Sequence, residues 1–279
     1  MLLPSRSKRI TKLTVKNFLR PSLCASLDVL GFKDEINRAY EEKSELKLLE
    51  EIKETLKLAA DDLTDFHTRN PEMMTTFRFF TDNVVIGYGW WTQGAKAELH
   101  DLCQLLADFQ LNMACRGLFI RGGISIGTLA SDERMVFGDC LVKAHELEAK
   151  SARNPRVILD PCFSNQEGIA LEMSAFQLMR DVDGYLFVNY LSALFQPKFA
   201  PPRYDLCLDE DRLKTHKIQV ERLLEEKRHD PNVWSKYFWT ANYHDAFCDQ
   251  TARKQYKINE SLLRAQPVGL VKNMVIDRW

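Results

Sequence analysis

The chain has 279 residues, 45% of them hydrophobic and 28% charged, with a formal net charge of −1. That is globular composition, enough for one large core or one core and an appendage. A charge this near neutrality argues against a nucleic-acid binder held by phosphate neutralisation, and no apolar run is long enough to span a membrane. The seven cysteines and six histidines show no CxxC, HxxxH or other metal-ligand spacing. Cys24, Cys103, Cys115 and Cys140 fall in apolar segments, which fits buried thiols in a reducing cytoplasm better than a disulfide framework.

Residues 1–22 form a basic arm, with Arg6, Lys8, Arg9, Lys12, Lys16 and Arg20 and no acid. Lacking an apolar h-region, the arm reads as a surface segment or amphipathic helix rather than a targeting peptide. Residues 23–30 read as a buried strand, and residues 33–67 carry two helical patterns divided near Glu41-Glu42-Lys43-Ser44. Met74 to Phe80 and Val84 to Tyr88 read as strands joined at Thr81-Asp82-Asn83, a tight-turn signal. From Thr92 to Cys115, Ala95, Leu99, Leu102, Leu106, Phe109 and Met113 keep close to helical period. Leu118 to Ile126 is a predicted strand and Arg134 to Phe137 another. Gly138 to Lys150 is a predicted helix, followed by strands at Arg156 to Leu159 and Tyr185 to Tyr190.

Hairpins mixed with crossover helices predict an α+β fold. The expected sheet is mixed, mainly antiparallel, covered by helices on one face, on the ferredoxin-like plan. The run Gln196-Pro197-Lys198-Phe199-Ala200-Pro201-Pro202 marks a boundary, so that a 23–195 domain is followed by a C-terminal helical extension over 203–279. In the extension, Asp209 to Lys227 sets Leu213, Val220 and Leu224 on one helix face. Asp230-Pro231 caps and opens a second helix, whose Trp234, Tyr237, Phe238 and Trp239 read as packing residues.

Two aspartates carry the chemistry. Asp28 ends the first strand and Asp82 sits at the hairpin tip. Two carboxylates on neighbouring strands can hold two divalent ions against a triphosphate. Gly31-Phe32-Lys33 opens a helix whose free amides suit phosphate, and Gly31 admits close approach of the backbone. Taken singly, Asp28 also fits a capping residue, Asp82-Asn83 a metal-free turn, and Arg121 a plain surface arginine.

Together these residues resemble a family. Asp28-Val29-Leu30-Gly31-Phe32, the Asp82 hairpin, Arg121-Gly122-Gly123-Ile124-Ser125-Ile126-Gly127 and Phe137-Gly138-Asp139 stand in the order and spacing of the class III nucleotide cyclase catalytic domain, a resemblance covering residues 23–190. It implies a homodimer with active sites at the subunit interface, converting a nucleoside triphosphate to a 3′,5′-cyclic monophosphate and pyrophosphate. It further implies that Asp28 and Asp82 bridge two Mg²⁺ or Mn²⁺ ions, that the Val29 carbonyl adds a ligand, and that Gly31, Phe32, Lys33 and Arg121 receive the phosphates.

The pattern departs from the purine cyclases at both base-reading positions, which hold Arg78 and Met135, and at the ribose and transition-state positions, which hold Val142 and Glu146. The bacterial pyrimidine cyclases of the Pycsar anti-phage systems combine such changes with an extra C-terminal helical segment, and the Ala144-His145-Glu146-Leu147-Glu148 stretch resembles them too. The implied product is cyclic UMP or cyclic CMP, acting on a separate effector. UTP is preferred because Arg78 is donor-only, whereas a cytosine reader wants an acceptor for the exocyclic amine. Tyr40, about 13 Å along the first helix from Gly31, is within a nucleotide's length and is a further base candidate. A cytidylate cyclase, an inactive nucleotide-binding homologue and a palm-like protein joining two nucleotides remain open alternatives.

Overall fold

The structure is a computed structural model and describes residues 19–54, 57, 75–89, 96–132, 135–165, 177–197 and 206–264. Its centre is β1 (Arg20–Leu30), in which Leu23, Ala25, Leu27 and Val29 enter the main core while Cys24, Ser26 and Asp28 alternate to the other face. α1 (Phe32–Glu41) and a second helix, α2 (45–54), follow. β2 (Thr75–Phe80) and β3 (Asn83–Gly89) form the expected hairpin, and α3 (Lys96–Ala114) leads to β4 (Phe119–Ser131). These strands lie in the order β2-β3-β1-β4, each pair antiparallel. That is the ferredoxin-like arrangement that the order of elements predicts.

Further strands extend the sheet past β4. β6 (Val157–Leu159) pairs with β4 in parallel, and β8 (Leu186–Val188) and β7 (Leu178–Arg180) continue antiparallel. β5 (Val136–Phe137) folds back on the end of β4, which runs five residues beyond its expected limit. α5 (Cys162–Asn165), β7 and the ribbon of β9 (Phe195–Pro197) with β10 (Leu206–Leu208) were not expected from the sequence. Strands of three residues are too short for a period to register. The ribbon pairs the chain on either side of the proline run, most of which lies outside the described residues, as do residues 1–18 of the basic arm and Arg134.

Helices cover both faces of the sheet, not one. Leu99, Leu102 and Leu106 of α3 join Leu23 and Leu27 in the main core. α4 (Asp139–Lys150) lies on the opposite face, where Cys140 meets Cys24 and Leu129. A methyl group on Gly123 would stand 2.6 Å from the Ala144 carbonyl and 2.5 Å from the Leu147 Cβ, so α4 rests directly on the backbone of β4. The small residues of Arg121-Gly122-Gly123-Ile124-Ser125 thus set the height of α4 above the strands. Among the described residues no helix is long and apolar enough to cross a membrane.

α6 (Glu210–Glu226) and α7 (Pro231–Gln250) begin as the caps require. The Asp209 carboxylate accepts from the Arg212 amide at 3.0 Å, and that of Asp230 from the amides of Asn232 and Val233 at 3.0 and 3.2 Å. α7 packs its aromatics on the sheet domain: Tyr237 meets Phe119, and Trp239 and Tyr243 meet Phe187, with ring centroids 5.5–5.7 Å apart. α8 (Glu260–Leu263) closes the described chain.

Between α6 and α7 lies a fully buried histidine pair. Its hydrogen bonds run Tyr190 Oη to His216 Nε2 at 2.8 Å, His216 Nδ1 to His244 Nδ1 at 3.0 Å, and His244 Nε2 to the Tyr256 carbonyl at 3.0 Å. The carbonyl only accepts, so His244 carries its proton on Nε2. Its Nδ1 then accepts from His216, whose Nε2 accepts the tyrosine hydroxyl. Each hydrogen has a place only while both rings are neutral. Burial lowers the pKa of both, that of His216 well below the ordinary value and that of His244 from 6.5 to about 4; the second ring's charge adds to the shift at His216. As pH falls from 6.5 towards 4, the unfolded chain binds a proton that the folded chain refuses, so stability is lost through that window. The expected loss by pH 4 is about 3 kcal/mol from His244 alone. His244→Gln should flatten this dependence in urea titrations between pH 7 and 4; an unchanged slope would refute the assignment.

Candidate active site

Asp28 stands opposite Asn83 on β3 and opposite Arg121 on β4. Directly paired residues share a face of the sheet, and Arg121 Nε donates to Asp28 Oδ2 at 2.7 Å. The same guanidinium reaches across to α4, where Nη2 lies 3.0 Å from Glu148 Oε1. His145 Nδ1 lies 3.4 Å from the other Glu148 oxygen. Arg121 is thereby held between a strand carboxylate and a helix carboxylate.

Asp82 occupies the two-residue turn between β2 and β3, and the Val29 amide donates to its carbonyl at 2.9 Å. That bond ties the hairpin tip to the end of β1, next to Asp28. The Asp82 carboxylate is oriented locally: Oδ1 accepts from Asn83 Nδ2 at 2.8 Å and shares the Thr81 hydroxyl, also at 2.8 Å, with the Phe80 carbonyl at 2.7 Å. Thr81 adopts φ 54°, a left-handed conformation that is unusual for a β-branched residue.

Gly31, at φ 75°, makes the turn from β1 into α1 that other residues would make under strain. The Asp34 and Glu35 amides return to its carbonyl at 3.0 and 3.1 Å. The amides of Phe32 and Lys33 are left as the donors a helix start offers to an anion. The Phe32 ring anchors this start in the core, and Lys33 is exposed.

Arg78 and Met135 are brought together at Asp132. Arg78 Nη2 donates to the Asp132 carbonyl at 2.6 Å, while the Met135 amide donates to Asp132 Oδ1 at 2.9 Å. Tyr40 does not join them. It lines a cavity of about 320 Å³ between α1 and α2, with Phe32, Ile36, Leu48 and Ile52 among its walls. Val142 and Glu146 both lie on the solvent side of α4, where Glu146 pairs with Lys150 at 3.2 Å. Lys143 turns to Asp139 at 2.8 Å, away from Asp28, as helical spacing predicts. His145, by contrast, contacts Glu148 at the edge of the site.

Glu148 was not singled out from the sequence. Its signal was there: Cys140, Ala144 and Glu148 repeat at helical spacing on the buried side of α4, and an acid on an apolar stripe needs a partner. Burial pushes the Glu148 carboxyl above the ordinary range. The charge of Arg121 opposes the shift, Asp28 adds to it, His145 opposes it and Asp82 adds to it. Glu148 is therefore within the field of both aspartates.

Among the described residues, no group of three or more His, Cys, Asp or Glu side chains is placed to hold a metal ion. Magnesium-type sites need no such cage, since one or two carboxylates share the ion with phosphate oxygens and water. Asp28 Oδ1 and Asp82 Oδ2 take part in none of the hydrogen bonds above. Two hard oxygen donors on stitched strands therefore fit a divalent cation.

No family model matches the chain, and no curated protein does. Solved structures with a partial likeness include the adenylyl cyclase CyaB from P. aeruginosa, at 17% identity and TM-score 0.43, over 61% of this chain and 93% of that one. The guanylyl cyclase Cya2 overlaps at 13% identity and TM-score 0.38, over 68% of this chain and 98% of that one. A class III adenylyl cyclase-like ATP-binding protein from Pseudomonas aeruginosa overlaps at 14% identity and TM-score 0.35, over 57% of this chain and 36% of that one.

Proposed function

We propose that the chain is a metal-dependent nucleotide cyclase that converts a pyrimidine nucleoside triphosphate, UTP in preference to CTP, to its 3′,5′-cyclic monophosphate and pyrophosphate. The observation that carries this reading is the Val29–Asp82 backbone hydrogen bond, which holds the hairpin acid beside Asp28 and Arg121. Asp28, Asp82 and the Val29 carbonyl would hold two Mg²⁺ or Mn²⁺ ions. Bound there, the cations supply charge neutralisation at the phosphates and a lowered pKa at the attacking 3′-hydroxyl.

The chain's own part is positioning and fixed charge. The amides at Gly31, Phe32 and Lys33 receive the terminal phosphates, and Arg121 adds charge-assisted hydrogen bonds while Glu148 steadies its guanidinium. Base reading falls to Arg78, a donor suited to the carbonyl oxygens of uracil, with Met135 as an apolar neighbour. Met135, Phe137 and Val142 are more than half exposed, an apolar strip along β5 and α4 suited to a second copy of the chain. By the resemblance to Pycsar enzymes, cyclic UMP would act on a separate effector in antiviral defence in the cytoplasm.

One assay tests the reading. Purified protein incubated with ATP, GTP, CTP or UTP and Mn²⁺ is expected to release a cyclic monophosphate from UTP and less from CTP, and to sediment as a dimer. Turnover of purines alone would remove the pyrimidine assignment, and a dinucleotide product would point to palm-like chemistry. Glu146 favours a second reading, an inactive homologue, since an acid stands where relatives carry an arginine. Tight nucleotide binding with no product from any triphosphate would establish it.

A further inference from the structure

The C-terminal extension reaches the candidate site. The Tyr237 hydroxyl lies 3.7 Å from where a side chain on Gly31 would begin, and its ring meets Phe119, two residues before Arg121. Two ion pairs fasten the end of α6 to α1: Lys227 Nζ to Asp34 Oδ2 at 2.8 Å and Arg38 Nη1 to Glu226 Oε2 at 3.2 Å. α7 is thus seated over the turn that carries Gly31.

Lys236 precedes Tyr237 on that helix and is partly buried. Burial lowers the pKa of its amine, the charge of Arg121 lowers it further, and Asp28 and then Asp230 raise it. Two of the three charges it senses belong to the site. Among the described residues Lys236 forms no ion pair of its own. A compact cation on a flexible four-carbon stem can follow a phosphate chain. On α4, Lys143 is committed to Asp139, Lys150 pairs with Glu146 and Val142 is apolar, so that helix brings only His145 to the edge of the site.

We propose that Lys236 is a phosphate-binding residue of the site, delivered by the C-terminal extension to the space bounded by Gly31, Asp28 and Arg121. The proposal rests on the cyclase reading and adds to it a second cation for the phosphates, beside Arg121. It makes the extension a working wall of the site rather than an appendage.

The test uses the full chain and two readouts, calorimetric binding of inorganic tripolyphosphate with Mn²⁺ and steady-state turnover of UTP. Lys236→Met is expected to weaken tripolyphosphate binding about tenfold and to lower kcat/KM for UTP at least as much. Lys236→Arg should retain most of both, and Lys214→Met, on the exposed side of α6, should match the parent. Should Lys236→Met lower the melting temperature, Lys236→Gln, which keeps much of the stem, is compared instead. If the parent chain cyclises UTP and the Lys236 variants equal it in both readouts, this proposal falls while the cyclase reading stands. If the parent neither binds tripolyphosphate nor forms a cyclic product, the cyclase reading fails and takes this one with it.

Discussion

Asp28→Asn is expected to reduce cyclic-nucleotide formation by about a thousandfold or more, and Asp82→Asn by a comparable factor. A metal contact at a transferring phosphoryl group contributes several kcal/mol, and each 1.36 kcal/mol is about tenfold in rate. Asparagine keeps the shape of either side chain and can still accept the neighbouring hydrogen bonds, so the loss should appear in turnover with the fold intact. On the proposed mechanism the two acids act as a unit on the same substrate. The double variant should therefore be little worse than the poorer single one, as happens when members of one catalytic set are removed together. Rates for each variant at saturating Mn²⁺, with a melting curve as control, decide the matter. Activity within tenfold of the parent in either single variant would remove that aspartate from the site.

Arg156→Met should cost about 3–5 kcal/mol of stability, a large share of what a typical domain has. Arg156 is 1% exposed and binds Asp181 and Asp183 on the turn between β7 and β8. Its guanidinium also lies 5.6 Å from the centre of the Trp239 ring and 5.8 Å from that of Phe187. Trp239 Nε1 in turn donates to Asp181 Oδ2 at 2.8 Å. One buried cation therefore joins β6, the β7–β8 turn and α7. Burial works to raise the Asp183 pKa, but the hydrogen bond and charge of Arg156 prevail and hold it below the ordinary value. Methionine fills similar space but leaves two carboxylates without their cation. Adding Asp183→Asn should recover part of the loss, because the penalty lies in the stranded charge. A urea midpoint for Arg156→Met equal to that of the parent would show that the network contributes no net stability.

The elements with a clear period were legible in the sequence, and those held by distant contacts were not. β1, the β2–β3 hairpin, α3 and both helix caps of the extension follow from alternation, turn residues and cap chemistry. α4 was expected as a helix, but its placement on the second face of the sheet depends on Gly123 admitting its backbone, which no local pattern reveals. The strands β7, β9 and β10 are three residues each and exist through their partners. At the candidate site, the positions of Asp28, Asp82 and Gly31 were readable because each sits at the end of its own element. Glu148 and Lys236 were not. Each comes from a helix far along the chain, and only the packing of that helix brings the side chain near Arg121.

Thr81 gives the hairpin a consequence for evolution as well as chemistry. A β-branched residue with φ 54° costs on the order of 1–3 kcal/mol, and glycine would make the same turn without strain. Glycine has no hydroxyl, however, and the Thr81 hydroxyl, shared with the Phe80 carbonyl, is one of two donors at the Asp82 carboxylate. The turn thus gives up robustness for aim. Selection for heat tolerance alone would be drawn towards replacing Thr81, and selection for the orientation of Asp82 would resist it.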